Sequence, residues 1–178
     1  MSAAGHSSVQ IGHKLYGIRR RFEEELFVFN VLSLSFEQII ARNGLDHYQC
    51  VALHDTENVL YITGGHYGYY GHDNHSAVAF NVSSSEWFVF SNMSFARQGH
   101  QCIVDPVNSR LWAISGYVED SVERIDTSDI ESQTWETTPS LHDALHRAAA
   151  VLYHDGLILI MGGGVDADYV CKCIQTFL

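Results

Sequence analysis

Basic side chains are scarce: 10 Lys and Arg stand against 21 Asp and Glu, leaving a formal charge of -11 on 178 residues. A surface of that sign repels phosphate backbones and anionic lipid, which argues against nucleic acid and membranes as partners. No apolar run approaches the roughly 20 residues that span a bilayer, and residues 1–9 hold no basic-then-apolar signal region. Cysteine is sparse too, with Cys50, Cys102, Cys171 and Cys173 too few for a disulfide scaffold and not spaced as zinc knuckles. Reduced thiols in a cytoplasmic protein are therefore expected, with the sequons at Asn81 and Asn92 unused. The sequence also lacks a Gly-x-Ser-x-Gly elbow and a phosphate loop leading into a Lys-Ser/Thr helix, and it calls for no cofactor.

What is abundant is apolar and aromatic: 46% hydrophobic residues, only 17% charged ones, and 12% aromatics, a mixture that suits a folded β-rich domain. It is also periodic. The segments ending Ile18-Arg19-Arg20, Thr63-Gly64-Gly65, Ile114-Ser115-Gly116 and Met161-Gly162-Gly163 share one apolar pattern, and their last residues are separated by 45, 51 and 47 positions. An aromatic landmark follows the first three, at Phe36, Trp87 and Trp135, and a histidine precedes each of the four, at His6, His47, His100 and His146. Short apolar runs alternating with turn residues then read as four strands per unit, roughly 47–53, 58–63, 76–81 and 86–90 in the best-preserved copy. The segment after Ser140 resembles a helix-capping box, but the repeat register places a strand at about 147–153 instead.

The order Arg97-x-x-His100, apolar strand, Gly-Gly, aliphatic strand and a Trp about 20 residues later resembles the kelch repeat, and Trp87 stands 22 residues beyond Gly65. The resemblance implies an all-β partial kelch-type β-propeller of about 3.5 to 4 four-stranded antiparallel blades, at approximately 1–43, 44–94, 95–140 and an incomplete 141–178. In such blades Gly64, Gly65, Gly116, Gly162 and Gly163 serve tight backbone positions, and Trp87 and Trp135 fill the space between sheets. The chain departs from the pattern where Arg19 and Arg20 replace the Gly pair, with Glu23, Glu24 and Glu25 as available partners, and where the third unit keeps only Gly116. Four incomplete units leave no strand to close a ring, so an open arc is expected, either a fragment of a longer protein or a unit completed by assembly. Its bare edges invite pairing with another chain.

Function follows from the same resemblance: a non-enzymatic module that binds a protein through loops on one face. The loop 66–75 is the richest candidate, because Tyr67, Tyr69 and Tyr70 supply contact area and His66 and His72 flank them. Arg97 and Tyr117 lie in other loops of that face. His66, His72 and His75 with Asp73 also form a possible metal set, though at no recognised zinc spacing. An enzymatic alternative is a piece of a kelch-like sugar oxidase, a sialic acid epimerase or a methyltransferase-linked protein of tRNA modification.

Overall fold

Runs such as Val59-Leu60-Tyr61-Ile62-Thr63 and Arg110-Leu111-Trp112-Ala113-Ile114 are rich in β-branched and aromatic side chains that fit a pleated surface, and both are strands. A computed structural model of the chain describes residues 8–20, 24–41, 49–66, 72–128, 134–153, 156–166, 169–170 and 174–177. Its architecture is all-β, and no α-helix occurs among these residues. Among the described residues no helix is long and apolar enough to cross a membrane.

Three sheets are four-stranded antiparallel meanders. The first runs β1 (Ser8–Ile11), β2 (Lys14–Arg20), β3 (Glu24–Asn30) and β4 (Ser35–Ala41), and the second β5 (Cys50–His54), β6 (Val59–Thr63), β7 (Ala77–Asn81) and β8 (Glu86–Val89). The third runs β9 (Gln101–Asp105), β10 (Arg110–Ile114), β11 (Val122–Asp126) and β12 (Glu136–Thr138). The fourth has three strands, β13 (Ala149–Leu152), β14 (Ile158–Met161) and β17 (Ile174–Phe177), and between its last two a small hairpin of β15 (Gly164–Asp166) and β16 (Tyr169–Val170) is inserted. The strands of the second sheet lie within about three residues of their predicted bounds, and the 140s hold no helix.

Turn chemistry repeats with the strands. Asn30, Asn81 and Asp126 each end a third strand and accept backbone N–H groups two or three residues on, from Leu32 and Ser33, from Ser83 and Ser84, and from Ser128. At the same turn Val31, Val82 and Thr127 donate to the carbonyls of His13, Asn58 and Ser109 at 2.9, 2.9 and 2.7 Å. These local bonds set the register of each hairpin and explain why Phe29-Asn30-Val31 and Phe80-Asn81-Val82 match.

Alternation along each strand then decides which sheet a side chain meets. On β6, Leu60 and Ile62 pack with Tyr16, Ile18, Leu26 and Val28 of the first sheet, whereas Val59 and Tyr61 pack with Leu111, Ala113 and Ile125 of the third. On β10, Leu111 and Ala113 face back, and Trp112 and Ile114 face forward onto Ile158 and Ile160 of the fourth. Burial on both faces is why these strands read as continuous apolar runs. Leu60, Leu111 and Ile114 are fully enclosed, each contributing roughly 1.5–3 kcal/mol. Successive sheets approach most closely at their first strands, β1 beside β5, β5 beside β9 and β9 beside β13. Small side chains suit that convergence, and Ala52 and Ala148 are buried there. No core cluster of the described residues joins the first sheet to the fourth.

The aromatic landmarks occupy one structural position. Phe36 and Trp87 stand on the fourth strands and Trp135 immediately precedes one; the first two pair across to Phe29 and Phe80, and continuing the third sheet's register sets Trp135 opposite Ile125. The extra residues before Trp135 are taken up in the β11–β12 connection, so a sequence offset that looks irregular leaves the pairing intact. Trp135 is buried beneath the second sheet and donates its indole N–H to the Ser91 carbonyl at 2.7 Å.

Two expectations change. Cys50 and Cys102 are not reduced thiols but a disulfide with Cα atoms 5.8 Å apart, because face-to-face stacking sets β5 beside β9 although 52 residues separate the cysteines. Cys171 and Cys173 lie outside the described residues. At Arg19 and Arg20 the strand does not stop as it does at the Gly pairs; β2 continues, with Arg19 in register with Glu25 and Arg20 with Glu24.

Candidate functional site

In a four-stranded meander, the connection after the second strand and the connection to the next sheet leave from the same end. Here these connections are 64–76, 90–100, 115–121, 139–148 and 162–163, the last leading into Gly164 of β15, and backbone hydrogen bonds stitch them together. Gly65 donates to the Arg97 carbonyl at 2.9 Å, Arg97 to Asn74 at 3.0 Å and Tyr117 to Gln98 at 3.0 Å. Arg147 donates to Gly99 at 2.8 Å, and Leu141 to Asp120 at 2.9 Å. His146 and Gly164 exchange both of their backbone bonds. The result is a face whose loops are braced by one another.

The glycines make that bracing possible. Gly64 has φ +61°, and a Cβ there would lie 2.5 Å from the Arg97 carbonyl oxygen and 2.6 Å from the His100 ring. In the third sheet Ser115 takes the equivalent left-handed conformation, at φ 56°. Its hydroxyl compensates by accepting the Leu145 N–H at 2.6 Å and donating to the Glu119 carbonyl at 3.0 Å. One Gly of the pair can therefore be lost without losing the turn.

Beneath the loops sits a buried ion pair. Arg97 and Glu123 are both fully enclosed, with Nη2 donating to Oε1 at 2.7 Å. Arg97 also donates to the Ser115 and Ser121 carbonyls, both at 2.9 Å, and to the Ser121 hydroxyl at 2.8 Å. Glu123 in turn accepts the Ser94 and Phe95 backbone N–H groups at 2.8 and 3.3 Å. Burial draws the guanidinium's pKa down and the Glu123 carboxylate opposes that shift. Beside it His100 is buried, with Nε2 2.7 Å from the Thr63 hydroxyl. Burial, reinforced by the Arg97 charge, holds its imidazole pKa well below the usual 6.5, so the ring is neutral at neutral pH.

Arg97 is thus removed from the set of surface contacts expected from sequence: it holds three connections together and offers no donor to solvent. His66 is partly exposed and pairs with Asp73, Nδ1 to Oδ1 at 3.1 Å, closing the base of its loop. His72 is exposed. Tyr67, Tyr69 and Tyr70 lie outside the described residues. Tyr117 is 41% exposed, its ring edge-to-face with His146 at 5.4 Å. Gly65, Gly116, Gly162 and Gly163 all have positive φ at the ends of second strands. The metal set does not assemble, since among the described residues no group of three or more His, Cys, Asp or Glu side chains can hold an ion.

Sequence reading missed Glu123 and the exposed pair Phe95 and Val118, the latter 72% exposed. Glu123 did carry a signal: in strand register it stands where the other sheets have Val78 and Phe27, an apolar position facing the preceding sheet. Chemically, the face offers aromatic and aliphatic area at Phe95, Tyr117 and Val118. Asp120 and His142 are exposed on the same set of connections. That composition suits a protein contact with an apolar centre and polar rim. Comparison with protein-family models and with curated proteins finds no match.

Proposed function

We propose that the chain is a kelch-type repeat module, an arc of propeller blades that binds a protein segment on its braced loop face. The observation that carries this reading is the exposure of Phe95, Tyr117 and Val118 on loops held by inter-loop backbone bonds and by the buried Arg97–Glu123 pair. Rigid loops lose little entropy on association, so aromatic anchors on them are effective. The kelch part of the reading is supported by the work that the repeat's own residues do: Gly64 admits the Arg97 carbonyl, His100 caps Thr63, and Trp135 fills the space between sheets. Convergence of the first strands supports a propeller over a flat stack. The net charge of -11 favours a basic segment as the ligand.

The test uses immobilised chain and an array of basic, neutral and acidic peptides, with Phe95→Ala/Tyr117→Ala as the control. Truncating two anchors is expected to weaken retained basic peptides by about 10- to 1000-fold, with circular dichroism unchanged. Equal retention by the control, or no retained peptide, would overturn the reading.

A further inference from the structure

Among the described residues nothing covers one apolar face of each end sheet, and the two faces are of opposite kind. On the first sheet Tyr16, Ile18, Leu26 and Val28 pack against the second sheet. The other face carries Leu15, Phe27, Phe29 and Phe36, and Phe36 is 73% exposed. Strand register equates Leu15 with Leu60 and Leu111, Phe29 with Phe80 and Ile125, and Phe36 with Trp87 and Trp135. In the second and third sheets this is the face that the preceding sheet covers. The pair geometry is already built: the Phe29 and Phe36 rings are 4.9 Å apart at 57°, and Phe80 and Trp87 are 4.8 Å apart at 47°. Yet Phe80 is buried at 1% where its preceding sheet is present.

The fourth sheet shows the converse. Ile158 and Ile160 face back onto the third sheet, whereas Val151 and Met161 are 45% and 43% exposed, with Leu159 between them on the same forward face. By register Leu159 corresponds to Tyr61 and Trp112, which cover the next sheet in the second and third units. One end therefore presents a covering face and the other a face awaiting cover.

We infer that the outer face of the first sheet, centred on Phe29 and Phe36, is an interaction surface for a second copy of this chain, which seats the Val151, Leu159 and Met161 face of its fourth sheet there. The contact continues a junction that the chain makes three times internally, so its register and apolar chemistry are those of the interior. Such a head-to-tail contact is heterologous and leaves no free face when two copies close on each other. Under the propeller reading, two four-sheet arcs make a ring of about eight, within the range that propellers adopt. The contact between sheets itself does not depend on that reading or on the loop face.

Sedimentation velocity on the full chain at about 1–100 µM and physiological salt tests this. The expected mass is twice the 20.0 kDa of one chain. Phe36→Asp and Met161→Asp are each expected to weaken association by about 30-fold or more, with unchanged circular dichroism. Mixing the two variants should restore a two-chain species, because one undamaged junction remains between unlike chains. A wild-type chain that stays monomeric throughout leaves the face to a sheet of another polypeptide and overturns the inference. So does association that survives both substitutions, or a mixture that remains monomeric. Phe95→Ala/Tyr117→Ala should leave the mass unchanged, which separates this result from failure of the loop-face reading.

Discussion

Removing the Glu123 carboxylate tests whether the loop face is held from below. In Glu123→Ala the Arg97 guanidinium, fully enclosed, loses the carboxylate bonded to it, and the Ser94 and Phe95 N–H groups lose their acceptor. Stranding one member of a buried ion pair costs about 3–5 kcal/mol, a large part of the roughly 5–15 kcal/mol that stabilises a domain. The melting temperature should fall by roughly 6–20 °C for a chain of this size. Arg97→Met should cost a similar amount, since it leaves the carboxylate buried and also frees the Ser115 and Ser121 carbonyls. The double variant Arg97→Met/Glu123→Leu removes both charges, so it should cost clearly less than the two singles added together, by about 2–4 kcal/mol. Urea unfolding followed by tryptophan fluorescence gives all three values, with Trp135 and Trp112 buried near the affected sheets as reporters. Strict additivity, or a Glu123→Ala cost below about 1 kcal/mol, would show that the pair does not brace the loops. Hydrogen exchange at Ser94 and Phe95 locates the effect, because these amides are the ones released.

Further outcomes follow from the same geometry. Gly64→Ala should destabilise by about 2–4 kcal/mol through its left-handed backbone and the Arg97 carbonyl in its path, against only about 1 kcal/mol for Gly162→Ala, where φ is +72° but nothing lies within 4 Å; thermal melts compare them. Reducing the Cys50–Cys102 bond opens a loop closed across 52 residues, so stability should drop by about 2–4 kcal/mol under a phosphine reductant, and a Cys50→Ser chain should show no such response. His100 titrates well below 6.5 when folded, so below that pH the unfolded chain takes up a proton that the folded chain refuses. Stability should therefore fall on acidification by up to about 1.4 kcal/mol per pH unit from this group, and His100→Gln should flatten the slope between about pH 6.5 and 5; an unchanged slope would assign the titration elsewhere.

How much of this was legible in the residue order varies with the range of the forces involved. Strand positions, hairpin turns and sheet count depend on local chemistry, on alternating apolar side chains and on Asn30, Asn81 and Asp126 closing turns onto near neighbours, and a linear reading captures such terms. Even the aromatic landmarks were visible, because Phe36, Trp87 and Trp135 recur at one step of the repeat. Contacts across sheets were less so. Arg97 reads as an exposed loop cation until the approach of β11 supplies Glu123, and Glu123 reads as a polar strand residue until its register with Val78 and Phe27 is drawn. The disulfide is the clearest case: a separation of 52 residues carries no pairing information, and only β5 lying beside β9 brings the two sulfurs together. The hairpin of β15 and β16 was likewise hidden, since Gly162-Gly163-Gly164 marks a turn without saying how far the inserted strands extend.

Residue order by itself determined that this protein is a series of similar four-stranded units with apolar faces, because period and turn chemistry are short-range properties. Tertiary structure alone decided which of those faces are covered, which charges are buried and which loops meet, because each depends on sheets distant in sequence stacking at their first strands.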